Sequence, residues 1–250
     1  MDMIVKEKII KAWPENCTRI DFEKLVALAV HQENKHDLEN NFNFEISLQG
    51  ENNYIVLDEL TQKFIKKIFI NFSGSNNILY IGANSALEGN LIFGNNSLAI
   101  INNEQPNLKL DVNLYNDSVL FWGKKSRTYG CRIWIEGQKS VIVGDDCLFS
   151  ELITMRTSDH HSIIDISEGK HINPAGNIII GNHVWIGPEV SILKNVKIGN
   201  HAIVGLRTIV TRDISSNELH IGAPNKCIRK NVSWLDNHSP TQDEINCLID

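Results

Sequence analysis

Residues 157 to 165 read Thr157-Ser158-Asp159-His160-His161-Ser162-Ile163-Ile164-Asp165, a polar stretch that places two of the chain's nine histidines beside a carboxylate. An imidazole titrating near 6.5 is the side chain suited to taking up and returning a proton at neutral pH. Two more histidines, His183 and His201, and the tryptophan Trp185 follow close behind. Upstream, Lys124, Lys125, Arg127 and Arg132 form a basic run within a chain of net charge −6. A basic run is most often a solvated face, and anion binding is its sharper alternative. The five cysteines are odd in number and scattered, with no CxxC pair to hold zinc. No cysteine or serine sits in a recognisable nucleophile motif.

What must position these groups is a sixfold rhythm. An aliphatic residue returns at Ile180, Ile186, Ile192, Ile198, Val204 and Val210, and four places after each stand Val184, Val190, Val196, Ala202, Thr208 and Ile214. Neither a helix of period 3.6 nor an alternating strand gives that spacing. A parallel β-helix does, with short strands joined by tight turns and the recurring aliphatic pointing inward onto the coil below. Three hexads, 18 residues, close one triangular coil, which stacks His183 under His201 and Gly187 under Gly205. Glycine follows the inward aliphatic at Gly181, Gly187, Gly199 and Gly205, where a sharp bend is expected. Trp185 falls between inward Val184 and Ile186, so its indole points out, an exposure that suits a ligand or a neighbouring subunit.

Earlier in the chain the rhythm is weaker. A first series runs through Ile81, Leu87, Phe93 and Ala99, blurs between Asn102 and Gly137, and restarts at Val143, Phe149 and Met155. Tyr54 to Leu57, Ile68 to Ile70, Val119 to Phe121 and Ile133 to Ile135 read as strands. After the hexad that begins at Met155 the next clean one starts at Ile180, so 19 residues loop out, and loops of that length inside a compact repeat commonly carry function. The chain divides into an N-terminal helical or mixed cap (1–50), a β-helix domain (51–230) with an extruded loop (157–177), and a C-terminal tail (231–250) with a short helix after residue 240. Asp21 is placed to cap a helix through Phe22, Leu25, Val26 and Ala29. Such a helix would lie over the first coil, where an open sheet end must be covered. The acidic balance argues against nucleic acid. No stretch approaches the ~20 apolar residues of a membrane span, and the charged N-terminus carries no signal-peptide pattern. The expected compartment is the cytoplasm.

Four segments carry a resemblance. Arg156 to Ile163, His171-Ile172-Asn173-Pro174, Gly181 to Gly187 and Gly222-Ala223-Pro224-Asn225-Lys226 resemble the hexapeptide-repeat acetyltransferases. Within them the resemblance is to the branch that O-acetylates bacterial capsular and lipopolysaccharide sugars, sialic-acid capsules included. The resemblance implies an all-β fold, a left-handed β-helix assembled as a homotrimer, with acetyl-CoA in a groove between subunits. The family's Asp-x-His-x-Ile falls on Asp159, His161 and Ile163, which makes His161 the general base, with His160 as runner-up and Asp159 as a candidate to orient the ring. Trp185 matches the tryptophan expected beside the thioester. By position, Gly187, Gly205, Leu206 and Thr211 would line the pantetheine arm, and Lys226 and Arg229 would meet the phosphates of CoA. Leu206, Arg207 and Asn225 stand where the family has small residues, which leaves the shape of that groove open. Lys124, Arg127 and Arg156 are the candidates to bind an anionic carbohydrate acceptor. No metal is implied. A γ-carbonic-anhydrase-like site would need three histidine ligands, and His183 and His201 supply two. Other readings are N-acetylation of an amino sugar or sugar nucleotide, O-acetylation of a small molecule such as a streptogramin, and a non-catalytic scaffold.

Overall fold

The six aliphatics of the sixfold series, Ile180 to Val210, are all fully or almost fully buried. A computed structural model describes residues 3–22, 25–58, 65–102, 104 and 107–248 of the chain. It begins with α1 (Met3–Ala12), β1 (Leu25–Val30), α2 (Lys35–Phe42), β2 (Phe44–Leu48) and β3 (Asn53–Asp58). The next coils alternate β4 (Ile68–Phe72), β5 (Ile78–Ile81), β6 (Leu87–Phe93), β7 (Leu98–Ile101), β8 (Leu108–Leu114), β9 (Val119–Trp122), β10 (Arg127–Ile135) and β11 (Ser140–Val143). Short strands follow: β12 (Leu148–Phe149), β13 (Ile153–Arg156), and a small hairpin of β14 (Ile164–Asp165) with β15 (Lys170–His171). The last coils hold β16 (Ile178–Ile180), β17 (Trp185–Ile186), β18 (Ser191–Ile192), β19 (Val196–Ile198), β20 (Ile203–Val204) and β21 (Ile209–Val210). An antiparallel pair, β22 (Glu218–Ile221) and β23 (Lys226–Lys230), ends the stack, and α3 (Gln242–Asn246) lies in the tail.

Strands of successive coils pair in parallel, as a solenoid requires. One face stacks β3, β5, β7, β9, β11, β16 and β19. The opposite wall is a single long strand per coil through β2, β4, β6, β8 and β10. At β10 it divides: Arg127 and Thr128 pair with β12, whereas Cys131 to Trp134 pair with β13. The triangular section therefore begins there. The uniform 18-residue coil expected from the hexads holds only beyond it. Trp185 pairs with Ile203, 18 positions on, but Ile78 pairs with Leu98, 20 on, and Leu98 with Val119, 21 on. Longer strands make the early coils longer, which is why the rhythm blurs in sequence. Between Leu148 and Trp185 the offset is 37, and its excess of 19 over one coil is the excursion counted from the sequence.

The cap differs from expectation. Leu25 to Val30, placed in a helix by its spacing, is instead β1, laddered antiparallel onto β3 along all six residues. Edge pairing and the β-branched Val26 and Val30 outweigh a weak helical periodicity. The helix that covers the open end is α2, whose Leu38 and Phe42 join the central core. α1 lies outside the first face, with Val5, Ile9 and Trp13 packed on Tyr80, Ile100 and Phe121. From there the chain runs along the solenoid as a strap, with Thr18 donating to Asp145 Oδ2 through its amide (2.7 Å) and hydroxyl (2.6 Å).

The turn glycines also have a different reason than bending. Gly181 does not adopt positive φ; a Cβ there would collide with Asn200 of the next coil. The left-handed residue of that turn is His183 at φ 53°. No described helix is long and apolar enough to cross a membrane.

Candidate active site

The extruded loop leaves and returns at one point. Thr157, fully buried where β13 ends, accepts from the Glu136 amide (2.8 Å) and donates to the Glu136 carbonyl (3.0 Å). Gly176, at the exit, donates its amide to the Thr157 carbonyl (2.9 Å). Within the loop Asn173 acts as a brace. Its amide nitrogen donates to Asp159 Oδ2 (2.8 Å) and to the His161 carbonyl (2.9 Å), and its oxygen accepts from the Ile163 amide (2.6 Å). Lys194, from the next coil, donates to both Asp159 and the Asn173 carbonyl. The lysine hydrogen bond first, and that of Asn173 second, hold the Asp159 carboxyl below its ordinary value. Asp159 thus fixes the backbone that carries His161, through Asn173, and its carboxylate is spent on Lys194 and Asn173.

The two loop histidines differ in their support. His160, in the left-handed region at φ 68°, sets Nδ1 2.9 Å from Glu136 Oε1. A carboxylate accepts, so Nδ1 carries the proton of that hydrogen bond and Nε2 points away from Glu136. Tyr115 lies 6.3 Å from the His160 ring; burial first, then the Glu136 carboxylate it hydrogen-bonds, raises its phenol above the ordinary value. His161 is exposed and meets the His160 ring edge-on at 5.0 Å. Sequence reading missed Glu136, Tyr115, Asn173 and Lys194 as partners of the loop. Glu136 precedes His160 by 24 residues, a little over one coil, so coil length was the signal that pointed to it.

Trp185 begins β17 on the outer surface, 38% exposed. Its register column runs Arg127, Leu148, Trp185, Ile203 and Leu219. The C-terminal tail lies beside this column. Trp234 stacks on His183 at 4.4 Å and 14°, and its ring is 6.2 Å from that of Trp185. His183 spends Nδ1 on Asp146 (2.7 Å) and Nε2 on the Trp234 carbonyl (2.9 Å). His183 and His201 do lie one coil apart, their ring centroids 5.1 Å from each other and their planes tilted by 50°. Burial first, then His183, lowers the His201 imidazole below its ordinary value.

The cofactor candidates lie on the C-terminal side of Trp185. Gly187 donates to the Val204 carbonyl (2.8 Å) beneath the turn of Gly205 and Leu206, and Leu206 is exposed. Arg207, beside it, is clamped by Glu189 through two hydrogen bonds (2.8 and 3.0 Å). Asn225 closes the last coil: its oxygen accepts from the amides of Thr211 (3.0 Å) and Arg212 (3.3 Å), while its nitrogen donates to His220 Nδ1 (3.2 Å). Lys226 and Arg229 project from β23, both exposed.

On the other side of Trp185 two cations of the basic run are engaged: Lys124 pairs with Glu104 (3.0 Å) and Arg127 with Asp236 of the tail (2.5 Å). Arg156 instead sits over the Trp134 ring, its guanidinium carbon 4.1 Å from the centroid. Glu218, His220 and Cys227 hold potential metal-ligand atoms within 4.8 Å. His220 already accepts from Asn225 at Nδ1 and donates from Nε2 to Glu218 (3.0 Å), and Lys230 also binds Glu218 (3.1 Å). The ring has no lone pair left for a cation, so the group acts as a clasp on the final coil.

Comparison with known proteins fits this architecture. Residues 177–211 match the family model described as bacterial transferase hexapeptide (six repeats). A polysialic acid O-acetyltransferase of Neisseria meningitidis is 33% identical over 150 residues, which cover 59% of this chain and 69% of that one. The enzyme of the same name from Escherichia coli O1:K1 / APEC is 48% identical over 95 residues, 38% of this chain, and the match spans only 31% of the longer relative. Among solved structures, the polySia specific acetyltransferase NeuO superposes with a TM-score of 0.60 at 26% identity, covering 83% of this chain and 96% of that one. The solenoid is accordingly the left-handed β-helix of these proteins. The chain belongs to the polysialic acid O-acetyltransferase family of hexapeptide-repeat acyltransferases.

Proposed function

We propose that the protein transfers acetyl from acetyl-CoA to a sugar hydroxyl of a bacterial surface polysaccharide, an acidic sialic-acid chain, in the cytoplasm where acetyl-CoA is made. The observation that carries this is a loop pinned at its root by Thr157 and braced by Asn173, which presents the exposed His161. In the transfer His161 takes the hydroxyl proton as the oxygen attacks the thioester carbonyl. Trp185, a donor only, offers its N–H to the oxyanion, and the thiolate leaves with the proton returned by the imidazolium. The products are an acetyl ester and free CoA. Burial pushes the Cys147 thiol up to about 12 and the Cys131 thiol higher, so neither provides a thiolate for an acyl-enzyme. Gly187, Gly205, Leu206 and Thr211 line the pantetheine path, with Lys226 and Arg229 toward the phosphates.

The sites lie between subunits of a homotrimer. In one chain the loop springs from the end of β13, Trp185 begins β17, and β16 stands between them. Outward Ile179, Trp185, Leu206, Ile209, Ile221 and Ile228 leave exposed apolar side chains on the walls of the last coils, which neighbouring subunits would cover.

His161→Ala should lower kcat by about 10² to 10⁴ with acetyl-CoA and a sialic acid oligomer, measured as thiol release, with acetyl-CoA binding intact. Near wild-type turnover would overturn the assignment. A second reading is favoured by the Glu136 contact, which orients His160 as a base. In that case His160→Ala and Glu136→Gln, rather than His161→Ala, would abolish transfer. Mass spectrometry of the product before and after alkali separates an ester from an amide.

A further inference from the structure

Outward positions of the third wall form a grid beside the histidine loop. Along β10 they are Arg132, Trp134 and then Glu136; their neighbours one coil earlier are Asp111, Asn113 and Tyr115, and one coil later Thr154 and Arg156. Trp134 occupies the middle. The Arg156 guanidinium carbon lies over its ring at 4.1 Å and that of Arg132 at 5.7 Å. Among the described residues neither guanidinium has a carboxylate within ion-pair distance, unlike Lys124, Arg127, Lys194 and Arg207. Asp111, the register neighbour of Arg132, accepts from Asn90 instead (2.7 Å). Glu136 is engaged by His160 and Tyr115.

Two unpaired arginines on one tryptophan are unusual in a chain with net charge −6. A guanidinium held over the face of an indole is restrained while its N–H edge stays free, the arrangement that receives a carboxylate in two parallel hydrogen bonds. A lysine would gain neither the stacking nor the fork. The grid ends at the loop root: Arg156 is followed by Thr157, and Glu136 holds His160, whose ring meets that of His161. A depression of about 270 Å³ opens beside Arg132, lined by Lys109, Asp111, Tyr129, Glu151, Leu152 and Thr154; its two carboxylates disfavour a second anionic group there, so the carboxylate contact is assigned to the arginines over Trp134.

We infer that Arg156 and Arg132, held on Trp134, form the subsite that grips the carboxylate of an acidic acceptor sugar and brings its hydroxyl to the histidine loop. This rests on the reading of the protein as an acetyltransferase for an acidic polysaccharide, and it moves charge recognition away from the 124–127 run, whose cations Lys124 and Arg127 are already paired.

The test uses the full-length protein with a sialic acid oligomer and the same oligomer with its carboxyl groups reduced to alcohols. Equilibrium binding of both is measured for wild type, the double variant Arg132→Gln with Arg156→Gln, and Trp134→Ala. Wild type should prefer the acid form, and the arginine variant should lose about tenfold or more in affinity for it while binding the reduced oligomer unchanged. Trp134→Ala should show a smaller loss of the same preference. In turnover, acceptor KM should rise, with kcat and acetyl-CoA KM little changed. Equal loss on both oligomers, or an unchanged preference, would overturn the subsite. So would a change in assembled mass on sedimentation, which would make the wall a contact between copies. Failure of the parent reading looks different: the protein would transfer acetyl to neither oligomer, while the binding comparison would still show whether the arginines discriminate the acid from the alcohol.

Discussion

A general base is useful only where its ring is held, and the loop holds its two histidines by different means. His160 is oriented by a carboxylate on the ring itself, whereas His161 is positioned through its backbone, by Asn173 and, behind it, Asp159 and Lys194. Asp159 therefore acts through the brace, and its loss should leave chemistry intact but poorly aimed. Asp159→Asn removes the charge that Lys194 meets while keeping the size of the side chain. We expect kcat to fall about tenfold, a misplacement effect, with the acetyl-CoA KM unchanged. Steady-state kinetics with each substrate varied separates this from a groove defect, which would move the acetyl-CoA KM. The motif that singled out Asp159 and His161 was legible in sequence. The partners were not, because Glu136 lies one coil back and Lys194 one coil forward, and neither can be assigned without the coil lengths between them.

At the scale of elements, the period was readable where strands are two or three residues long and the coils take 18, from Ile178 to Val210, before the last coil shortens to 16. Where β6, β8 and β10 run seven to nine residues through the corner, the aliphatics alternate along a wall instead, and a hexad count through Phe93 and Ala99 meets buried residues without giving the coil length. The stack ends abruptly, and its end depends on charge. The inward column Phe149, Ile186 and Val204 is continued by His220, a buried polar residue made tolerable by Glu218 and Asn225. The His220 hydrogen bond first, and that of Lys230 second, hold the Glu218 carboxyl down at about 2. A carboxylate depressed in the folded state stabilises the fold above its unfolded value and loses that contribution as pH falls. Glu218→Gln should therefore melt below wild type by a constant margin above about pH 5, and the margin should shrink toward zero as the pH nears 2. Melting curves across that range check it; a margin that grows on acidification would refute the clasp.

On the scale of the whole molecule, the fold separates the two halves of its proposed chemistry. The histidine loop, with the proposed base, emerges after β13, and Trp185 with the proposed CoA groove opens on the wall of β17, backed by Trp234 and the tail. A rigid solenoid cannot fold these faces together, whereas the proposed threefold assembly would set the loop of one copy against the groove of the next, each site drawing on two chains. Mixing tests this without any structure of the assembly. His161→Ala subunits keep the tryptophan and Trp185→Ala subunits keep the histidine, so each variant alone should be nearly inactive. Dissociated together in equal amounts and reassembled, they form mixed rings, and in each mixed ring one junction pairs an intact histidine with an intact tryptophan. Random assembly makes about three quarters of the rings mixed and repairs about one quarter of all sites. Thiol release should recover to about a quarter of the wild-type rate, against almost none for either variant taken through the same treatment. A site contained within one chain would regain nothing on mixing, and that result would return His161 and Trp185 to a single subunit.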